Sequence, residues 1–181
     1  NHLFVIESCE YKKNFLAYHP ANTIITNIEL EHVECYDGIA DIRNTFATLA
    51  NRSTRLVIAC GDDENIRLLD FIPPTIYYGF KEDNDLYATN ISLTAKGSHY
   101  DVYFHHQFYG TFDLPLFGRH MILNSLATIA LCDSYHIEPK TMQTIFQNFV
   151  SPKRRFKETI LGDNVIIDDY AHHPTEIRVT L

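Results

Sequence analysis

Residues 165 to 177 read VIIDDYAHHPTEI, and positions 168 to 173 hold two aspartates and two histidines. Carboxylates and imidazoles at this density suit three chemistries: holding a divalent cation, exchanging protons near neutral pH, or orienting a charged ligand. The spacing argues against a resident metal. Asp168 and Asp169 are adjacent at the end of an apolar run, and successive side chains along a strand point to opposite faces. Both carboxylates and the rings of His172 and His173 would surround one ion only if the segment folded back on itself. A divided use is therefore expected, with different members of the set serving different ligands.

Other polar groups follow apolar runs in the same way. VIES ends on Glu7 and Ser8, TNIELEH carries Asn27, Glu29, Glu31 and His32, and GRHMILN opens a helix with His120 and Asn124. In an open α/β sheet, ligands collect outside the carboxyl ends of the strands. Any single member is better explained as a solvated strand-end residue or a helix cap. The four clusters together carry the functional reading.

The elements that must position them follow from periodicity. LFVIES (3–8) reads as a buried strand, YKKNFLAYH as a short amphipathic helix, and TIITNI (23–28), apolar on both faces, as a central parallel strand. DGIADIRNTFATLANRS spaces Ile39, Ile42, Phe46 and Leu49 as one helical face, and RLVIACGDD gives another buried strand ending in a Gly-Asp turn. ENIRLLDFI reads as a helix and TIYYGF as a strand, so the pattern is α/β. Residues 85–117 alternate with period two, with turn residues near KGS and QFYG, which predicts an antiparallel meander. Two helices follow, the first with a stripe of Ile122, Leu126, Ile129 and Ala130 and the second opening at Pro139. VSPKRRFKE interrupts all periodicity and marks a domain boundary near 151. RFKETIL and NVIIDDYAH then read as strands joined by a turn at 162–164. HPTEIRVTL begins a helix, with His173 at the cap position because Pro174 suits the first helical residue.

The 181 residues carry 45% hydrophobic side chains and a net charge of −8, enough apolar content for a real core and no basic field for a phosphate backbone. Nucleic acid is not an expected partner. Cys9, Cys35, Cys60 and Cys132 are widely spaced with no CxxC pair, so they are read as buried thiols in a reducing, cytoplasmic compartment. No apolar run approaches the roughly 20 residues of a membrane span. The chain opens inside an apolar run and stops with helical periodicity unfinished, so a fragment of a longer protein is expected.

EYKKNFL (10–16), ITNIELEHVECY (25–36), GRHMILN (118–124), KRRF (153–156) and DDYAHHPTE (168–176), in this order and spacing, resemble the Mur ligases of bacterial cell-wall synthesis. DDYAHHPTEI is the most specific string, and within the family it is closest to the branch that joins L-alanine to UDP-N-acetylmuramate. The resemblance covers essentially the whole chain. It implies a three-domain amide ligase dependent on ATP and Mg2+, in which residues 1–150 form part of the central ATP-binding domain. That domain has a mostly parallel P-loop-type ATPase sheet flanked by helices, with an antiparallel meander. Residues 151–181 would begin a Rossmann-like C-terminal domain.

The resemblance also implies roles. Glu7 and His32 match metal-binding positions, with Glu31 where the family has Asp. Asn124, with His120 of the same segment, matches the adenine contact, and Met121 replaces a family Asn. Arg155 matches an arginine near the ATP phosphates at the domain boundary. Asp169 matches an acidic residue that contacts the nucleotide ribose or orders the closed site. His172 and His173 fall where the incoming amino acid is positioned, one of the two being structural. No G-x-x-x-x-G-K-[ST] phosphate loop occurs in these residues, so the chain on its own is expected to be inactive. Three readings stand beside this one: another Mur-type ligase, a metal-dependent hydrolase using DD with HH, and a non-catalytic nucleotide-binding module.

Overall fold

A computed structural model describes residues 3–94, 97–152 and 157–180, and the chain divides into two compact units, Asn1–Tyr87 and Ala88–Leu181. In the first, strand β1 (Asn22–Ile25), helix α1 (Ile39–Ala50), strand β2 (Leu56–Cys60), the single-turn helix α2 (Glu64–Arg67) and strand β3 (Thr75–Gly79) alternate as expected. β1 pairs in parallel with β2, β2 with β3, and β3 with the first residues of β4 (Leu86–Thr94), Tyr78 opposite Leu86. All five residues of β2 are buried, which is why LVIAC has no polar alternation: a parallel strand covered on both faces needs apolar side chains on each.

Four expectations change here. LFVIES forms no strand, and Leu3, Phe4, Val5 and Ile6 are exposed. A parallel strand needs a hydrogen-bonded neighbour and a cover on each face, and among the described residues no strand pairs with it. For the same reason β1 is the edge strand of this sheet rather than a central one, and Ile24 is exposed between buried Thr23 and Ile25. YKKNFLA is a 3-10 segment, with Lys12 and Lys13 at φ 52° and 59°, instead of an amphipathic helix. It is pinned by Phe15, which packs edge-on against Phe46 of α1, and by Lys13, whose Nζ lies 2.8 Å from both carboxylate oxygens of Asp41. The helix read over ENIRLLDFI is only Glu64–Arg67, because Pro73 and Pro74 follow closely and Leu68 and Ile72 face solvent.

The second unit contains strands β5 (Gly97–Phe104) and β6 (Gln107–Leu114), which pair antiparallel, then helices α3 (Arg119–Ser134) and α4 (Pro139–Gln147). The six strands run in sequence order through one sheet. The second hairpin turn is His105–His106, at φ 47° and 62°, rather than QFYG, which lies inside β6. A two-residue hairpin loop matches strand twist when both central residues are left-handed, and here histidines occupy the places usually given to Asn-Gly. Gly110 marks a register shift in β6 instead of a turn. Gly97 is needed for a different reason: at φ 130°, an added Cβ would lie 2.2 Å from the Leu114 carbonyl oxygen.

Ile122, Leu126, Ile129 and Ala130 of α3 are all fully buried, as their spacing predicts. The large members of that stripe each contribute about 1.5–3 kcal/mol by leaving water. Tyr100 of β5 is buried against the same helix, and its hydroxyl lies 2.6 Å from Ser125 Oγ, which in turn donates to the Ile122 carbonyl. Burial pushes the Tyr100 phenol from 10.0 up to about 12. An unfolded chain releases that proton near pH 10, whereas the folded chain holds it to about 12, so stability falls as pH rises through this window. Urea midpoints are expected to drop between pH 10 and 12 and to drop less in Tyr100→Phe; an equal drop in both proteins would remove Tyr100 from the effect.

Strands β7 (Lys157–Leu161) and β8 (Asn164–Asp168) form an antiparallel ribbon of their own, closed at Gly162–Asp163 with Gly162 at φ 61°, and helix α5 (Pro174–Thr180) follows. The cysteines are less uniform than expected: Cys60 is buried, Cys35 and Cys132 are half-buried, and Cys9 is exposed. Among the described residues, no helix is long and apolar enough to cross a membrane.

Candidate functional site

In the first unit the loops at the carboxyl ends of β1 and β2 are tied together by α2. Asp63 caps that helix, accepting from Ile66 N–H at 2.9 Å, and its other oxygen accepts from Ile28 N–H at 3.0 Å. Asn65 donates to the Ile28 carbonyl at 2.8 Å. These bonds fix the start of the loop that carries Glu29, Glu31 and His32. A backbone amide and a helix cap held by one side chain contribute together about 1–2 kcal/mol.

His32 itself sits at φ 50°, in the left-handed region, with its carbonyl accepting from Cys35 N–H at 2.7 Å. Its Nε2 is 3.4 Å from Glu10 Oε1 and its Nδ1 is 3.9 Å from Glu34 Oε1. The Tyr11 ring meets the imidazole edge-on, with centroids 5.2 Å apart. Glu10 is held in turn, since its carbonyl accepts from Lys13 N–H at 2.8 Å and from the Tyr36 hydroxyl at 2.5 Å. Burial, with the Glu10 and Asp41 carboxylates adding to it, raises the Tyr36 phenol to about 12 and keeps it a donor.

Glu7, the other expected metal position, is exposed and lies outside the group of ligand atoms gathered at His32. Glu10 was not singled out from sequence as a partner of His32. The available signal was its place at the head of EYKKNFL, a string that carries the family resemblance.

In the second unit, Gly118 caps α3 at φ 104°, and a Cβ there would lie 2.7 Å from the His120 ring. The glycine lets that imidazole fold back over the start of the helix. Asn124 is exposed one turn on, and its carbonyl accepts from Thr128 Oγ1 at 3.0 Å. His120 and Asn124 stand four residues apart and so share a face of α3. Arg155 lies outside the described residues.

The DDYAHH segment is organised by its own backbone. Asp169 Oδ1 accepts from Ala171 N–H at 2.7 Å, closing a short turn. Glu176 Oε2 accepts from the N–H groups of His172 and His173 at 2.9 and 3.1 Å, and His173 Nδ1 accepts from Thr175 N–H at 3.3 Å. With Pro174 and Thr175 between them, His173 and Glu176 make a reciprocal cap at the start of α5. His172 points outward, its side chain 69% exposed, with Nδ1 3.0 Å from the Tyr170 carbonyl and 3.5 Å from Glu176 Oε2. Among the described residues, the ligand atoms of Asp168, Asp169, His172 and His173 do not gather into a metal-binding group. The dinuclear arrangement that a hydrolase would need here is not formed.

Over 178 residues, 98% of this chain, the protein is 46% identical to the UDP-N-acetylmuramate--L-alanine ligase of Ligilactobacillus salivarius (strain UCC118). It is 44% identical over the same length to the ligase of that name from Limosilactobacillus reuteri (strain DSM 20016). The chain spans about two fifths of these relatives, covering 40% and 41% of their lengths. Among solved structures, UDP-N-acetylmuramate-alanine ligase MurC from Thermotoga maritima matches with a TM-score of 0.78 at 27% identity, over 92% of this chain and 38% of that one. MurF from Acinetobacter baumannii has the same TM-score at 19% identity, over 91% of this chain and 37% of that one, which is a likeness of fold. The family description Mur ligase middle domain matches residues 2–132. With the parallel sheet, the meander and the strand-end clusters all inside or beside that match, the chain belongs to the Mur ligase family.

Proposed function

We propose that this chain is the ATP-handling part of a ligase that adds L-alanine to UDP-N-acetylmuramate in cytoplasmic peptidoglycan synthesis. The observation that carries the reading is 46% and 44% identity, across 98% of the chain, to two ligases of that name. In such a reaction the muramate carboxylate takes the γ-phosphoryl group of ATP, releasing ADP, and the amine of L-alanine then attacks the acyl carbon and displaces phosphate to form the amide.

By type, the residues that the resemblance names suit this chemistry, although Glu7 is not among the ligand atoms gathered at His32. Glu7 and His32 are assigned to Mg2+. A hard ion held there would draw its other donors from oxygen, of carboxylate, phosphate and water. Asn124 and His120 are assigned to adenine, the exposed carboxamide offering both a donor and an acceptor to a base edge. Met121 cannot donate in place of the family Asn. Arg155 is assigned to the ATP phosphates, which a guanidinium fork suits.

Asp169 is assigned to the nucleotide ribose and closure. His172 is assigned to the incoming L-alanine, which it orients and whose ammonium proton it accepts. His173, committed to the α5 cap, is the structural member of the pair. The domain boundary is placed near 151, ahead of the separate β7–β8 ribbon, with the central domain before it and the C-terminal domain beginning after it.

The test is phosphate release in the complete protein that contains this chain. Release is expected to require UDP-N-acetylmuramate, ATP, Mg2+ and L-alanine together, and the 181-residue chain alone is expected to give none above a no-substrate control. Full turnover with UDP-N-acetylmuramate omitted, or with a different amino acid preferred to L-alanine, would overturn the assignment.

A further inference from the structure

One ligand atom from each of Cys9, Glu10 and His32 lies within 4.8 Å of the other two, and among the described residues no other trio of His, Cys, Asp or Glu gathers in this way. We propose that these three side chains form a binding site for a thiophilic divalent cation of the zinc class. Zinc bound by sulfur, nitrogen and oxygen at its usual bond lengths places neighbouring donor atoms about 3.3–3.8 Å apart on a tetrahedron. The Glu10 Oε1 to His32 Nε2 separation, 3.4 Å, already has that value. Cys9 is exposed and its sulfur already lies within 4.8 Å of the other two ligand atoms, so an entering ion meets it without disturbing a core.

The surroundings hold the other two ligands in place. Glu10 is fixed through its carbonyl by Lys13 and Tyr36, and His32 by its left-handed backbone and the Tyr11 ring. Glu34 stands 3.9 Å from Nδ1, the nitrogen facing away from Glu10, which is where an outer carboxylate orients a metal-bound imidazole. Three protein ligands leave the fourth tetrahedral position open. A thiolate adds little for Mg2+ and much for zinc, so Cys9 is what sets this site apart from the Glu7 and His32 assignment above. Because both sites use His32, the two ions exclude one another. The inference stands apart from the ligase reading, since its test involves neither nucleotide nor turnover.

The experiment is titration of the protein with Co2+ as a spectroscopic stand-in for zinc. One equivalent is expected to produce a thiolate-to-cobalt charge-transfer band with intense tetrahedral visible absorption, discharged by one equivalent of Zn2+. Cys9→Ser is expected to abolish the charge-transfer band, and Glu10→Gln to weaken Co2+ binding at least about tenfold, with unchanged circular dichroism in both. A wild-type protein without the band, a band that persists in Cys9→Ser, or an affinity untouched by Glu10→Gln would each overturn the proposal.

Discussion

Replacing His32 with asparagine in the complete ligase is expected to lower turnover about 100-fold or more, since losing a metal ligand costs at least what losing an outer-shell partner does. Asparagine is the informative choice because His32 occupies φ 50°, a region that Asn enters far more readily than Ala. The backbone of the loop after β1 is therefore kept while the imidazole is removed. Glu7→Ala is expected to act in the same direction, and because Glu7 is exposed its loss leaves the fold intact. The decisive pair of measurements is turnover and melting temperature. Near-normal turnover in His32→Asn would remove the residue from the metal, and a collapsed melting temperature would make its contacts with Glu10 and Tyr11 the reason for its presence.

Asp169→Asn is expected to raise the ATP requirement about 10- to 100-fold, the worth of one hydrogen bond to a charged group. The substitution is clean because Asn keeps an Oδ1 acceptor for the Ala171 N–H, so the turn survives and only the charge is lost. The two histidines are expected to separate. His172→Ala should raise the KM for L-alanine or abolish amide formation without destabilising the protein, because its ring is largely exposed. His173→Ala should cost about 1 kcal/mol of stability through the lost cap and leave the L-alanine requirement near normal. The reverse pattern, with His173→Ala controlling L-alanine and His172→Ala silent, would exchange their roles.

Much of this molecule is legible in its sequence. The stripe on α3, the continuous apolarity of β2, Pro139 at the head of α4 and the cap at His173 each follow from local rules of period, burial and termination. Each concerns residues whose structural partners lie within a turn or on one face, so a window of sequence contains the cause. The clusters at Glu29 to His32 and at Asp168 to His173 were legible for a related reason, since each follows an apolar run that is a strand, β1 or β8, whereas the run before Glu7 forms none.

What a window does not contain is who lies beside whom. LFVIES has the side chains of a buried strand and β1 those of a central one, yet pairing and cover come from other segments, and these left the first unpaired and the second at the edge. The His105–His106 turn was hidden because hairpin register, set by β5 and β6 together, placed two non-glycine residues at positive φ. The sequence by itself determined the family, the α/β order and the chemical types at each strand end. Only the tertiary structure decided that Glu10 and Cys9, more than twenty residues before His32 in the chain, are its neighbours, and that His173 closes a helix while His172 faces out. Residue types and periods are properties of the chain, whereas the distance between side chains far apart in sequence exists only after the chain has folded.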